Sequence, residues 1–98
     1  MTAVEGNDDL PSEFRLGQSY PNPFNPATVI SYELPERAVV QLTVHDALGR
    51  LVRVLVDQDV AAGRYTATFD ASGFPSGLYL YRMRAGQFES SGKMMLMK

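Results

Sequence analysis

Alternation of apolar and polar residues along most of the chain is the feature that most constrains its fold. Residues 29–34, 40–45, 65–70 and 81–84 each alternate in this way. A period of two is typical of half-buried β-strands, because successive side chains of a strand point to opposite faces. Turn residues interrupt these runs at intervals of roughly 8–12 residues. We therefore expect an all-β fold, an antiparallel sandwich of about seven strands.

The alternation also predicts which side chains form the core. The valines within residues 51–56 favour a short strand there over a helical turn, and residues 57–59 are expected to be a polar turn. The side chains on the inward-facing register are the predicted core: Ile30, Tyr32, Val40, Leu42, Val44, Phe69, Tyr79 and Tyr81.

A proline-rich segment, residues 18–26, precedes the first long alternating run. Its prolines at positions 21, 23 and 26 exclude both a helix and a central strand, because proline lacks a donor N–H. Tyr20 and Phe24 are available to anchor the segment in the core. We therefore expect an ordered loop here.

Length and composition exclude several classes of protein. The 98 residues suffice for one domain, with residues 1–13 expected to be a linker or flexible N-terminus and residues 14–98 the folded unit. The net charge is −2 and no basic block is present, so no nucleic-acid partner is expected. Cysteine is absent, which excludes disulfides. The longest apolar stretches are too short to span a bilayer, and any export signal would lie upstream in a longer parent protein.

No combination of residues indicates catalysis, a cofactor or a metal. The single histidine, His45, lies on the outward register of a strand, where a solvent-facing role is expected. The acidic pairs Asp8/Asp9 and Asp57/Asp59 could in principle bind calcium, but carboxylates in polar turns are more often solvated. We therefore predict that the chain is not an enzyme and that it has no cofactor and no metal site.

The rival function is carbohydrate binding by exposed aromatic side chains. Tryptophan, the best stacking platform, is absent, and most aromatic residues fall on inward registers, where aromatic side chains ordinarily pack in the core. Phe74, in a turn-rich segment, is the best candidate for a surface role. The aromatics considered are Tyr20, Phe24, Tyr32, Tyr65, Phe74, Tyr79, Tyr81 and Phe88. A passive spacer module is a further alternative.

A series of short motifs occurs in a fixed order over nearly the whole chain. They are residues 16–26, Thr28, Ile30, Tyr32, residues 34–35, 46–50, 55–56, 62–63 and 76–79, and the basic-ended residues 93–98. Together they closely resemble the type A C-terminal sorting domain of the type IX secretion system, and the related immunoglobulin-like domain of flagellar hook-capping proteins. The resemblance implies an immunoglobulin-like antiparallel β-sandwich without catalytic activity.

The resemblance also implies a function and partners. Such domains end secreted enzymes and adhesins, often glycoside hydrolases or proteases, and address them to an outer-membrane translocon. The expected partners are therefore the translocon, the surface-attachment machinery and a fused cargo, and the expected location is secreted or at the cell surface. The residues expected to form the recognition tail are Lys93, Met94, Met95, Leu96, Met97 and Lys98.

An edge strand can be recognised by adding a strand to a partner sheet, so residues 88–98 are a candidate for that mode.

Two further sets of residues are expected to serve architecture. Asp46 and Asp70 are expected to bond to their own turns. The residues expected to fix loop and turn geometry are Asn22, Pro23, Phe24, Asn25, Pro26, Asp46, Gly49, Gly63 and Gly77.

Overall fold

Seven β-strands make up the fold in a computed structural model that describes residues 10–98. No helix occurs within this range. The strands are β1 (Arg15–Tyr20), β2 (Ala27–Leu34), β3 (Ala38–Asp46), β4 (Leu51–Val60), β5 (Gly63–Asp70), β6 (Gly77–Ala85) and β7 (Phe88–Leu96). The all-β prediction and the number of strands are confirmed.

The strands form two antiparallel sheets. One has three strands in the order β1-β2-β5, and the other has four in the order β4-β3-β6-β7. In a constant-type immunoglobulin domain the fourth strand lies in the same sheet as the fifth. Here β4 pairs with β3 instead, so the larger sheet has β4 and β7 as its two edges.

The core lies between the two sheets and contains every side chain that the alternation predicted. Each of those side chains is at most 4 % exposed. The core also takes in residues from the proline-rich segment and from the last strand, namely Phe24, Met94 and Leu96. Burial of these side chains ties both segments to the sandwich, since removing apolar surface from water is the main favourable term in folding.

Three local predictions are wrong. Residues 18–20 belong to β1, which pairs with β2 and includes a register irregularity between Leu16 and Ser19. The predicted turn at residues 57–59 is part of β4, because this strand follows β3 as far as Val60. Tyr20 is 80 % exposed and does not anchor the loop, since its side chain lies on the solvent face of β1.

One tyrosine connects the two sheets beside β7. The Tyr81 hydroxyl on β6 donates a hydrogen bond to the Gly17 carbonyl oxygen on β1, at 2.9 Å. Gly92 of β7 lies opposite Tyr81 in the ladder, and a Cβ atom there would overlap the tyrosine ring and hydroxyl. The ring therefore reaches β1 only because position 92 lacks a side chain.

We predict that Gly92→Ala lowers the free energy of unfolding by about 1–3 kcal/mol, because a methyl group is forced into an occupied space. Denaturant unfolding of the purified protein measures the loss. In a Tyr81→Leu background the same substitution should cost much less, since the ring is gone. An equal cost in both backgrounds would contradict the steric explanation.

Candidate functional site

The predicted recognition tail is part of the folded sandwich. Its first four residues belong to β7, which lies at an edge of the larger sheet beside β6. Met94 and Leu96 point inward and are 1 % and 0 % exposed, whereas Met95 is 38 % and Met97 56 % exposed. Lys93 and Lys98 are also exposed. We refer to residues 93–98 as the tail and to residues 21–26 as the proline loop.

Four hydrogen bonds join the proline loop to the tail. The Asn22 side chain donates from Nδ2 to the Lys93 carbonyl oxygen at 3.1 Å and accepts at Oδ1 from the Met95 N–H at 3.0 Å. The Phe24 N–H donates to the Met95 carbonyl oxygen at 2.9 Å, and the Met97 N–H donates to the Phe24 carbonyl oxygen at 3.0 Å. These four bonds are called the loop–tail clamp below. Through them Phe24 forms a short parallel bridge with Leu96.

The proline loop is itself held at three points. The Phe24 side chain is 2 % exposed and its ring centroid lies 5.9 Å from that of Phe69. The Thr28 hydroxyl donates to the Pro21 carbonyl oxygen at 2.7 Å, and the Ala71 N–H donates to the Pro26 carbonyl oxygen at 2.9 Å. The loop is therefore anchored in the core, to β2 and to the residue that follows β5.

The loop–tail clamp limits where a partner strand could pair with β7, the segment expected to be recognised by strand addition. β7 is an edge strand as expected, but its outward-facing backbone groups from Lys93 to Met97 already include the four that bond to Asn22 and Phe24. A partner strand would need unpaired N–H and C=O groups at that edge. It could bind there only after displacing the proline loop.

The turn after β3 is built around Asp46. Its Oδ1 accepts hydrogen bonds from the N–H groups of Leu48 at 2.9 Å and Arg50 at 3.0 Å, and its Oδ2 accepts from Arg50 Nε at 2.9 Å. The backbone hydrogen bond from Arg50 is the main reason that the pKa of Asp46 lies below its usual 3.8. Gly49 completes the turn with φ +86°, a conformation that costs glycine little.

The other turn residues lie at strand boundaries. Gly63 begins β5 and Gly77 begins β6, both with positive φ. Asp70 ends β5, and its Oδ1 accepts hydrogen bonds from the Ser72 N–H at 2.9 Å and the Ser72 hydroxyl at 2.6 Å. The Ser72 hydroxyl is the largest cause of the lowered pKa of Asp70.

The candidate catalytic and metal residues lie apart from one another. His45 Nε2 lies 3.0 Å from the Thr43 hydroxyl within a hydrogen bond on the outer face of β3. Asp59 forms an ion pair with Arg37 at 3.3 Å. Within residues 10–98 no three or more histidine, cysteine or acidic side chains come together as a possible metal site. The pair Asp8/Asp9 lies outside the described residues.

Most aromatic side chains pack on one another. Phe74 is half-buried, with its ring stacked on Tyr79 at 6.2 Å and covered by the Arg53 guanidinium at 5.4 Å. Phe69 lies between these rings and Phe24. Among the aromatic residues that the structure describes, Tyr20 is the one with a largely exposed side chain.

The model of one protein family, described as the secretion system C-terminal sorting domain, matches residues 18–97. The chain belongs to this family. The match includes the proline loop and nearly all of the tail, and it confirms the resemblance to type IX sorting domains. No curated protein matches this sequence.

A sorting domain of this family is a C-terminal secretion-targeting module, and the family is defined by that signal rather than by catalysis. No helix within residues 10–98 has the length and hydropathy needed to cross a bilayer.

Sequence reasoning missed two residues of this sorting domain that lie beside the tail. Leu78 and Leu80 point outward from β6, opposite Met95 and Lys93 respectively. The signal was present in the sequence, because residues 78–81 are apolar at every position instead of alternating. The core accounts for one apolar face of a strand, so a second apolar face indicates that the outer side is covered as well.

We expect Asn22→Ala to lower the free energy of unfolding by about 1–2 kcal/mol, because two hydrogen bonds of the loop–tail clamp are lost. Amide exchange at Met95 should accelerate in the same variant, which NMR can follow. Asn25→Ala in the same loop is the matched control, since the Asn25 side chain forms no hydrogen bond within residues 10–98. Equal effects of the two variants would argue against the clamp.

The lowered pKa of Asp46 predicts a dependence of stability on pH. A carboxyl group with a lowered pKa stabilises the fold above its unfolded-state pKa, and this contribution is lost as pH falls through the folded-state pKa. Asp46→Asn keeps the oxygen acceptor but cannot ionise. The stability difference between wild type and Asp46→Asn should therefore shrink between about pH 5 and about pH 2. Urea unfolding at each pH tests this, and a constant difference would contradict it.

Proposed function

We propose that this sorting domain directs a larger secreted protein to the type IX outer-membrane translocon and onward to the cell surface. The fused cargo is a glycoside hydrolase, a protease or an adhesin, as is common for proteins with such domains. Recognition depends on residues 93–98. The surface-attachment machinery is the second partner, and the domain itself contributes no chemistry.

The observation that carries this proposal is the loop–tail clamp. The proline loop is anchored in the core by Phe24, yet four of its hydrogen bonds go to the tail. An edge strand that served packing alone would need only its inward side chains, Met94 and Leu96. The clamp adds a defined backbone path for the outward residues, and it thereby presents Lys93, Met95 and Met97 in a fixed arrangement.

The carbohydrate-binding alternative has weaker support. Stacking on sugars requires an accessible aromatic ring, and the aromatic cluster around Phe69 faces the core. Phe74 takes part in that cluster and is covered by Arg53. Tyr20 stands alone on the other sheet, where no second exposed ring within residues 10–98 accompanies it.

A reporter fused upstream of the full chain should be exported in a host that has the translocon. Deletion of residues 94–98 should abolish export. Because that deletion also removes the core residues Met94 and Leu96, Lys93→Glu is the second variant, and it should lower export by about tenfold if an interfacial charge is reversed. The exported fraction is measured by reporter activity in the medium and on intact cells.

Arg84→Glu is the matched control for the charge reversal. Arg84 is an exposed cation on the same sheet face, far from the tail, so its reversal should leave export unchanged. Thermal unfolding of the purified variants separates loss of recognition from loss of folding. Full export of the truncated fusion would reject the sorting role of the tail.

A further inference from the structure

The solvent face of the larger sheet changes character along the strands. At the end remote from the tail, a row across all four strands is polar or charged, while the end near the tail carries leucine and methionine side chains beside basic residues. The remote row is Asp57, Gln41, Arg84 and Glu89. The row that begins the tail end is Leu51, His45, Leu80 and Lys93. Further along β6 and β7 in the same direction, Leu78 lies opposite Met95.

The apolar residues at the tail end remain accessible. Leu51, Met95 and Met97 are 55 %, 38 % and 56 % exposed. Leu78 and Leu80 are half-buried, but they are not among the partly buried side chains that pack against the core. We call these five residues the tail-side patch. Leu78, Leu80 and Met95 lie on neighbouring positions of β6 and β7, and Leu51 lies in the row of Leu80 with His45 between them. The solvent face of an antiparallel sheet is ordinarily polar, and apolar side chains gathered on it indicate an interaction site.

Positive charge borders the tail-side patch. Lys93 lies in the same row as Leu51 and Leu80, Arg82 lies in the next row, and Lys98 is the last residue of the tail. Arg82 shares its charge with Glu89 at 3.7 Å, on the side away from the patch. Neither the row that contains Leu80 nor the row that contains Arg82 has a carboxylate. Beside the patch lies a concavity of about 500 Å³, whose lining includes His45, Leu80, Arg82 and Lys93.

We propose that the translocon recognises this sorting domain by docking on the tail-side patch, while the loop–tail clamp keeps the tail in the sheet. The inference rests on the proposed function and specifies its mode. The partner is a protein surface of apolar side chains bordered by carboxylates, which matches the patch and its positive border. Two of the five patch residues, Met95 and Met97, are methionines, whose flexible side chains adapt to a partner surface.

The same geometry separates face recognition from recognition of a linear tail. Leu51 and Leu80 lie 42 and 13 positions before Lys93 in the sequence, yet they share a row with it in the folded sheet. A translocon that bound the tail as a detached peptide would not contact either of them. One that docks on the patch would contact both.

Export of a reporter fused to the full chain tests this mode through variants outside the tail. Leu51→Glu and Leu80→Glu should each lower the exported fraction by about tenfold, because a carboxylate enters an apolar interface. Val39→Glu is the matched control, since Val39 is 59 % exposed and Leu51 is 55 % exposed on the same sheet face, and Val39 lies at its remote end. Its export should stay within about twofold of wild type. Thermal unfolding confirms that all three variants fold.

Equal export of the three variants would overturn face recognition, whether all are normal or all are impaired.

Asn22→Ala adds a test of opposite sign. It loosens the tail, so face recognition expects lower or unchanged export, whereas recognition of a displaced tail expects higher export and would overturn the proposal. If deletion of residues 94–98 abolishes export but Leu51→Glu and Leu80→Glu do not, the sorting function stands and only this mode fails.

Two other occupants of the patch are separated by binding measurements on the same variants. Vesicles of phosphatidylethanolamine and phosphatidylglycerol test a lipid surface, and sedimentation velocity at high concentration tests a second copy of the chain. Vesicle binding or self-association that Leu80→Glu removes, together with unchanged export, would replace the translocon as the occupant and overturn the proposal. The absence of both, with reduced export, supports it.

Discussion

The hydrogen bonds between the proline loop and the last strand are the interaction on which the functional end of the molecule depends. β7 has a single neighbour in its sheet, so half of its backbone groups would face solvent without the loop. Asn22 and Phe24 satisfy four of these groups in the tail. Each bond contributes about 1 kcal/mol net, but the greater effect is geometric, because a strand bonded on both edges has one register.

Much of the fold follows from local patterns that a single sequence displays. The alternation around Ile30, Val40 and Tyr79 reports which face of each strand is buried, because side-chain direction in a strand depends only on position. All the core residues assigned in this way are buried. The polar residues 57–59 failed as a turn signal because pairing with β3 outweighed their low strand propensity, as tertiary context commonly does.

The candidate site was less accessible to prediction because its contacts join distant segments. Asn22 bonds to residues 71 and 73 positions away, and no periodicity encodes such a pairing. The proline spacing indicated an ordered loop, and Phe24 was correctly placed in the core, but Tyr20 was not. Which of these two aromatic side chains points into the core depends on how the chain leaves β1, and therefore on the register of β1 against β2.

The position of the tail within the sandwich has a consequence for what a translocon can recognise. Leu51, Leu80 and Met95 come from three different strands, and they form one surface only when β3 and β6 pair between the two edges of the sheet. An unfolded chain carries the same residues without that surface. Recognition through the tail-side patch would therefore discriminate folded from unfolded sorting domains, which a linear peptide signal cannot do.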